Sequence, residues 1–211
     1  MTDLTDLEPE PAVAAAVFDD RLEVVRQYAH DLAEHGEELG LIGPLELPRL
    51  WTRHVVNCGL LAPLLVAGRV GDIGSGAGLP GLVLAAARPD ATLVLIEPME
   101  RRTDWLRAET ERLGLTNVEV VRGRAEEVEL DGWLDQATAR AVTALSKLIP
   151  LTAPLVRTGG QLLFLKGARV DDEVTAARKV IARHHLVDVE TLELGAELGV
   201  ETTRVFRATL D

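Results

Sequence analysis

A chain of 211 residues, 47% apolar and 27% charged, is long enough to bury a core unaided, and its single cysteine, Cys58, excludes an intrachain disulfide. Aromatic residues make up only 3%, so that core must be aliphatic. The formal net charge of −12 argues against a non-specific polyanion binder, although a local patch can bind what the net field does not attract.

The first 12 residues are acidic and punctuated by proline, which reads as a disordered tail. Residues 13–67 read as a helical extension. Val17, Leu22, Val25 and Leu32 recur at helical spacing through residues 12–39, and Asp19, Asp20 and Glu23 suit a first turn. Gly36, Gly40 and Gly43-Pro44 break that pattern. A second helix is expected over residues 48–66, kinked or split at Pro63. His54 and Cys58 share one of its faces, but nothing further nearby would activate the thiol, so Cys58 reads as a small buried hydrophobe. The longest apolar run, Leu60 to Gly68, is too short to cross a bilayer, and the acidic start is unlike a signal peptide; a cytoplasmic protein is expected.

From residue 68 to 211 the texture is that of a second unit. Arg69 to Ile73 reads as a strand, residues 80–88 as a helix, and the unbroken apolar run Thr92 to Ile96 as a strand buried on both faces. A helix over 99–113, a strand over 117–121, a strand over 135–139, a helix over 145–155, a strand over 162–165 and a helix over 170–183 follow. Strand and helix alternate, so an α/β fold with a doubly wound, mostly parallel sheet is predicted. Strands over 186–192 and 203–208, joined by a short connection, break the alternation at the end.

In such a sheet the ligand lies beyond the carboxyl ends of the strands, at the switch point after the first one. Gly74-Ser75-Gly76-Ala77-Gly78-Leu79-Pro80-Gly81 stands there. Small residues let a backbone approach a ligand closely, Pro80 suits a first helical position, and free amides at that helix start would favour a carboxylate or phosphate. Residues 76–81 satisfy the dinucleotide pattern G-x-G-x-x-G, but Pro80 removes an amide donor from it. Read from Asp72, the chain is acidic-x-Gly-x-Gly-x-Gly, which resembles motif I of the class I S-adenosylmethionine methyltransferases. That resemblance implies that Gly74, Ser75, Gly76 and Gly78 wrap the methionine and ribose of the cofactor. Glu97, at the end of the second strand, is placed to accept from vicinal ribose hydroxyls. Ala125 and Glu126, after the third strand, are placed to flank an adenine, or else belong to a charged cluster capping a short helix.

Further pieces narrow the class. They are Arg53-His54, Gly78-Leu79-Pro80-Gly81, Arg101-Arg102, Thr138-Ala139-Arg140-Ala141-Val142 and Leu165-Lys166-Gly167. In this order and spacing, from about Leu50 to Glu173, the chain resembles the RsmG/GidB family of bacterial ribosomal RNA methyltransferases. The resemblance implies a class I methyltransferase core with a seven-stranded sheet and an N-terminal helical extension. It also implies transfer of the methyl group of S-adenosylmethionine to N7 of a guanine in 16S rRNA, or in the small-subunit particle. Gly74 and Leu79 then match loop contacts, Ala125 and Glu126 an adenine pair, and Arg140 a cofactor-side residue. Glu97 stands where the family often has aspartate, and Pro98 where a small polar residue is common.

Guanine N7 carries a free lone pair, so no general base is required, and rate should come from alignment and exclusion of water. No residue is assigned to bond-making and no metal is expected; Arg140 and Lys166 are the positioning candidates. Arg53, His54 and Lys166 are candidates for RNA contact, since 19 of the 22 basic residues are arginine, which pairs with phosphate and guanine edges. Arg140 and Lys166 would otherwise form ion pairs with Asp72 or Glu126, and Arg53 and His54 would pack the N-terminal helices. A small-molecule methyltransferase, a nicotinamide dehydrogenase and a cofactor-sensing module are the rival functions, and a monomer is expected.

Overall fold

The computed structural model describes residues 6–43 and 45–211. One seven-stranded sheet organises the chain, in the order β3-β2-β1-β4-β5-β7-β6. The strands are β1 Arg69–Ile73, β2 Thr92–Glu97, β3 Val118–Arg122, β4 Leu134–Arg140, β5 Val156–Lys166, β6 Leu186–Leu194 and β7 Thr203–Leu210. The first five pair in parallel, while β7 runs antiparallel to both β5 and β6. The short link after β6, a 3-10 turn at Ala196–Leu198 between two left-handed glycines, permits only a reversal of direction there.

Helices cover both faces. On one lie α1 Val13–Phe18, α2 Leu22–His35, a π-helix Leu50–Val56 that runs into α3 Asn57–Gly59, α4 Gly81–Ala87 and α5 Glu100–Arg112. On the other lie α6 Leu145–Thr152 and α7 Val170–Arg183. Leu93 and Leu95 of β2 enter the first core and Val94 and Ile96 the second, which is why that strand reads as an unbroken apolar run.

The N-terminal region departs most from the sequence expectation. The helix expected over 12–39 breaks at Asp19, whose φ of 45° is left-handed, and resumes through a 3-10 turn. The helix expected over 48–66 is split. Leu47–Arg49 is 3-10, the next seven residues are a π-helix, and a 3-10 turn at Ala62–Leu64 contains Pro63, whose ring nitrogen has no proton to continue the ladder. Residues 6–12 are not a free tail. Leu7 packs on the core, the Glu8 amide donates to the Leu47 carbonyl (2.9 Å), the Glu8 carboxylate accepts from the Thr52 amide (2.9 Å), and Glu10 pairs with Arg26. Residues 1–5 of the expected tail, and Pro44, lie outside the described residues. Strand β5 starts six residues earlier than expected, because Val156 pairs with Leu134 across a register shift in β4.

Candidate active site

The loop after β1 is built by glycines in the left-handed region, Gly74 at φ 72°, Gly76 at 58° and Gly78 at 98°. Asp72 is fully buried behind it. Its Oδ2 accepts the Gly81 amide at 2.9 Å, and its carbonyl accepts the Ser75 hydroxyl at 2.9 Å. Burial pushes the Asp72 carboxyl up to about 7. A Cβ at Gly81 would sit 2.5 Å from that carboxylate oxygen, so the close approach needs glycine. The first amide of α4 is thus bonded to the protein's own carboxylate, which corrects the expectation that it would be free for an anion. Inside the loop, the Ala77 carbonyl accepts two buried donors, the Tyr28 hydroxyl at 3.0 Å and the Trp105 indole N–H at 2.9 Å. The Leu79 side chain belongs to the core.

Glu97 ends β2 almost wholly buried. One carboxylate oxygen accepts the Gly76 amide at 3.0 Å and the other the Met99 amide at 2.9 Å. A carboxylate offers about four lone-pair positions, so acceptor capacity remains after these two bonds. The Arg102 guanidinium stands 3.9 Å away. Across β3, the Gly123 amide donates to the Glu97 carbonyl, which sets the following loop beside Glu97. Ala125 there is half-buried, and Glu126 is exposed, 4.0 Å from Arg124.

The carboxyl ends of β4 and β5 open onto a cleft of about 520 Å³, lined by Arg53, Asn57, Arg140, Lys166, Glu173 and Arg204 among others. Arg140 and Lys166, expected to pair with Asp72 or Glu126 if spent internally, pair with neither. The Lys166 ammonium reaches Glu173 at 2.8 Å and donates to the Thr143 carbonyl at 2.9 Å. Glu173 also accepts the Leu145 amide at 3.0 Å, which ties the 141–144 turn and the start of α6 to β5. Arg140 contacts His54, Nη1 to Nδ1 at 2.8 Å, and His54 Nε2 meets Glu46 at 2.6 Å. His54 is therefore turned inward with both ring nitrogens engaged, whereas Arg53 beside it is exposed. Cys58 is fully buried, and burial pushes its thiol up to about 11, the opposite of an activated thiolate.

The loop and the cleft adjoin. A Cβ at Gly74 would lie 3.1 Å from Val142, two residues beyond Arg140. Asp72 and Thr138 are register partners on β1 and β4, and Asp72 Oδ1, Thr138 Oγ1 and Arg140 Nε are buried without a hydrogen-bond partner. At Gly76 a Cβ would meet nothing nearer than the Gly74 carbonyl at 3.8 Å, so the loop's outer face is open. Sequence reading missed Tyr28, Trp105, Glu46 and Glu173. Only the indole and phenol, polar handles in an aliphatic chain, offered a signal.

A model of the family described as rRNA small subunit methyltransferase G matches residues 21–201. A protein of Clavibacter sepedonicus named ribosomal RNA small subunit methyltransferase G is 60% identical over 208 residues, covering 99% of each chain. Among solved structures, a precorrin-6y C5,15-methyltransferase from Geobacter metallireducens GS-15 superposes with a TM-score of 0.54 at 16% identity, over 73% of this chain and 87% of its own. An rRNA methylase from Streptococcus thermophilus gives 0.51 at 15%, over 73% and 94%. The two structures share the class I methyltransferase fold with this chain. The chain belongs to the rRNA small subunit methyltransferase G family.

Proposed function

We propose that this member of the rRNA small subunit methyltransferase G family transfers the methyl group of S-adenosylmethionine to N7 of a guanine in 16S rRNA. The observation that carries the reading is the adjacency of two features: the glycine loop with Glu97 against it, and the arginine- and lysine-lined cleft at the ends of β4 and β5. When bound, S-adenosylmethionine supplies a methyl group activated by a sulfonium. Gly74, Ser75, Gly76, Gly78 and Leu79 wrap its methionine and ribose, and Arg140 stands on the cofactor side of the cleft. Glu97 holds the ribose with its remaining lone pairs, and Ala125 with Glu126 borders the adenine.

Guanine N7 is a neutral nucleophile, so the chain has no proton to remove, and alignment is its main contribution. Arg140 and Lys166 position the base, and Arg53 on the exposed rim contacts the RNA backbone. Among the described residues, no helix is long and apolar enough to cross a membrane. A cytoplasmic monomer acting on rRNA or on the small-subunit particle completes the reading, with residues 13–67 as the extension that walls the cleft and 68–211 as the catalytic core.

The test is mapping of N7-methylguanosine in 16S rRNA from cells with and without this protein, complemented with Gly74→Val and Arg140→Ala. The modification should vanish in the deletion and in both variants. Full methylation by both variants would refute the site assignment. Transfer of labelled methyl to metabolites but never to RNA would favour a small-molecule enzyme.

A further inference from the structure

We propose that His54, held by Glu46, is the positioning residue that fixes the Arg140 guanidinium at the mouth of the cleft. The activity arm of the test below rests on the methyltransfer reading; the geometry does not.

An arginine has only protons to give. The 2.8 Å contact between Arg140 Nη1 and His54 Nδ1 therefore requires a lone pair on Nδ1. The ring proton then sits on Nε2 and is donated to Glu46 Oε2 across 2.6 Å. Three separate segments meet in this relay: the loop before the π-helix, the π-helix and the end of β4. The His54 side chain is only 10% exposed, so the ring has little room to leave.

The choice of a neutral acceptor matters. Among the described residues no carboxylate lies within ion-pair distance of Arg140, and its Nε has no partner. An arginine anchored by a carboxylate would have its charge compensated. Anchored by a neutral imidazole, it is held in place with its charge intact for an incoming anionic or electron-rich group.

Protonation would undo the arrangement, because Nδ1 would become a donor facing a guanidinium. The charged groups around the ring are Glu46, Arg49 bonded to Glu46 (2.8 Å), Arg53 at 3.7 Å from Glu46, and Arg140; Asp72, Cys58 and Tyr28 in turn feel the Arg140 charge. Burial and then Arg140 hold His54 below the ordinary histidine value, while Glu46 pulls the other way. That direction agrees with the lone pair that the Arg140 contact requires on Nδ1.

The experiment compares kcat and KM for transfer to small-subunit RNA between about pH 5 and 8 in the wild type, His54→Ala, His54→Gln and Glu46→Gln. His54→Ala should lower kcat on the order of 10²-fold, with a smaller change in KM. His54→Gln should restore most of that loss, since its amide accepts from Arg140 and donates to Glu46. Asp72 also titrates in this range, so the decisive readout is the difference between profiles. His54→Gln should lose part of the wild type's acid limb, and Glu46→Gln should move that limb to lower pH. Wild-type kcat in His54→Ala, or identical profiles in the wild type and His54→Gln, overturns the proposal. Nitrogen-15 NMR of the imidazole gives a readout independent of activity and of whether His54→Ala folds. Nδ1 should be unprotonated at neutral pH, and a protonated Nδ1 refutes the relay. If the wild type itself fails to methylate small-subunit RNA, the methyltransfer reading falls and the NMR result still decides the relay.

Discussion

Two donors on one carbonyl make a non-additive prediction. The Ala77 carbonyl, in the middle of the glycine loop, accepts from Tyr28 and from Trp105. Tyr28→Phe removes one donor and leaves the carbonyl satisfied by the other. That should cost about 1 kcal/mol, the net worth of one ordinary hydrogen bond. Trp105→Phe removes the other donor and loses some packing as well, at roughly 1–3 kcal/mol. In the double variant the carbonyl has neither, within a residue that is only 6% exposed. A buried polar group without a partner costs a further ~1–3 kcal/mol. The double variant should therefore lose more stability than the two single variants together, by about that amount.

Urea unfolding of the four proteins measures the coupling directly. The same four should be titrated with S-adenosylmethionine, because a loop that must be re-formed on binding weakens affinity about tenfold for each ~1.4 kcal/mol. The double variant should bind measurably more weakly than either single variant. Stability losses that add to within ~0.5 kcal/mol would show that the two bonds do not share the carbonyl's satisfaction, and the clamp reasoning would fall.

Glu97→Gln replaces a carboxylate oxygen with an amide NH2 facing a backbone N–H, either Gly76 or Met99. Hydrogen bonds to charged groups are worth ~1.5–3 kcal/mol, so calorimetry should show S-adenosylmethionine affinity down about 10- to 100-fold. Gly76→Ala and Gly78→Ala should separate binding from folding. The first adds a methyl into open space, so it should cost about 1 kcal/mol of strain and chiefly impair cofactor binding. The second drives a Cβ to 2.5 Å from Leu82 and should chiefly lower the melting temperature. Asp72 has a folded value of about 7 against 3.8 for an unperturbed side chain. The folded protein therefore retains a proton that the unfolded chain has lost between these values. The stability this contributes is full below 3.8 and disappears as pH rises through about 7. Asp72→Asn should flatten the decline in stability across that window, and an unchanged slope in urea titrations would contradict the assignment.

The sheet was legible because most of its strands and crossover helices announce themselves locally; the start of β5, set by pairing of Val156 with Leu134, did not. Arg69–Ile73 and Val170–Arg183 start and stop where the pattern says, and the run around Leu93–Ile96 reads as two-faced burial because Val94 and Ile96 do face a second core. The glycine loop was legible because its backbone turns at glycines within it, although Glu97, Tyr28 and Trp105 hold it from outside. The extension was not, and the physics differs there. Hydrophobic spacing tells which face of a helix is buried but not what its polar atoms meet. Tyr28 finds its acceptor 49 residues away and Arg140 finds His54 across 86. The π-helix that presents His54 leaves no mark in a period of 3.6, and Leu7 together with Glu8 and Glu10 anchors a segment whose charge reads as solvated. The two gaps have one cause. Besides the core they share, the extension meets the glycine loop and the end of β4 through long-range polar bonds, from Tyr28 to Ala77 and from Glu46 through His54 to Arg140. What the loop sequence specifies is a shape; what holds that shape, and turns Arg140 toward the cleft, comes from side chains that are ordinary in their own neighbourhoods.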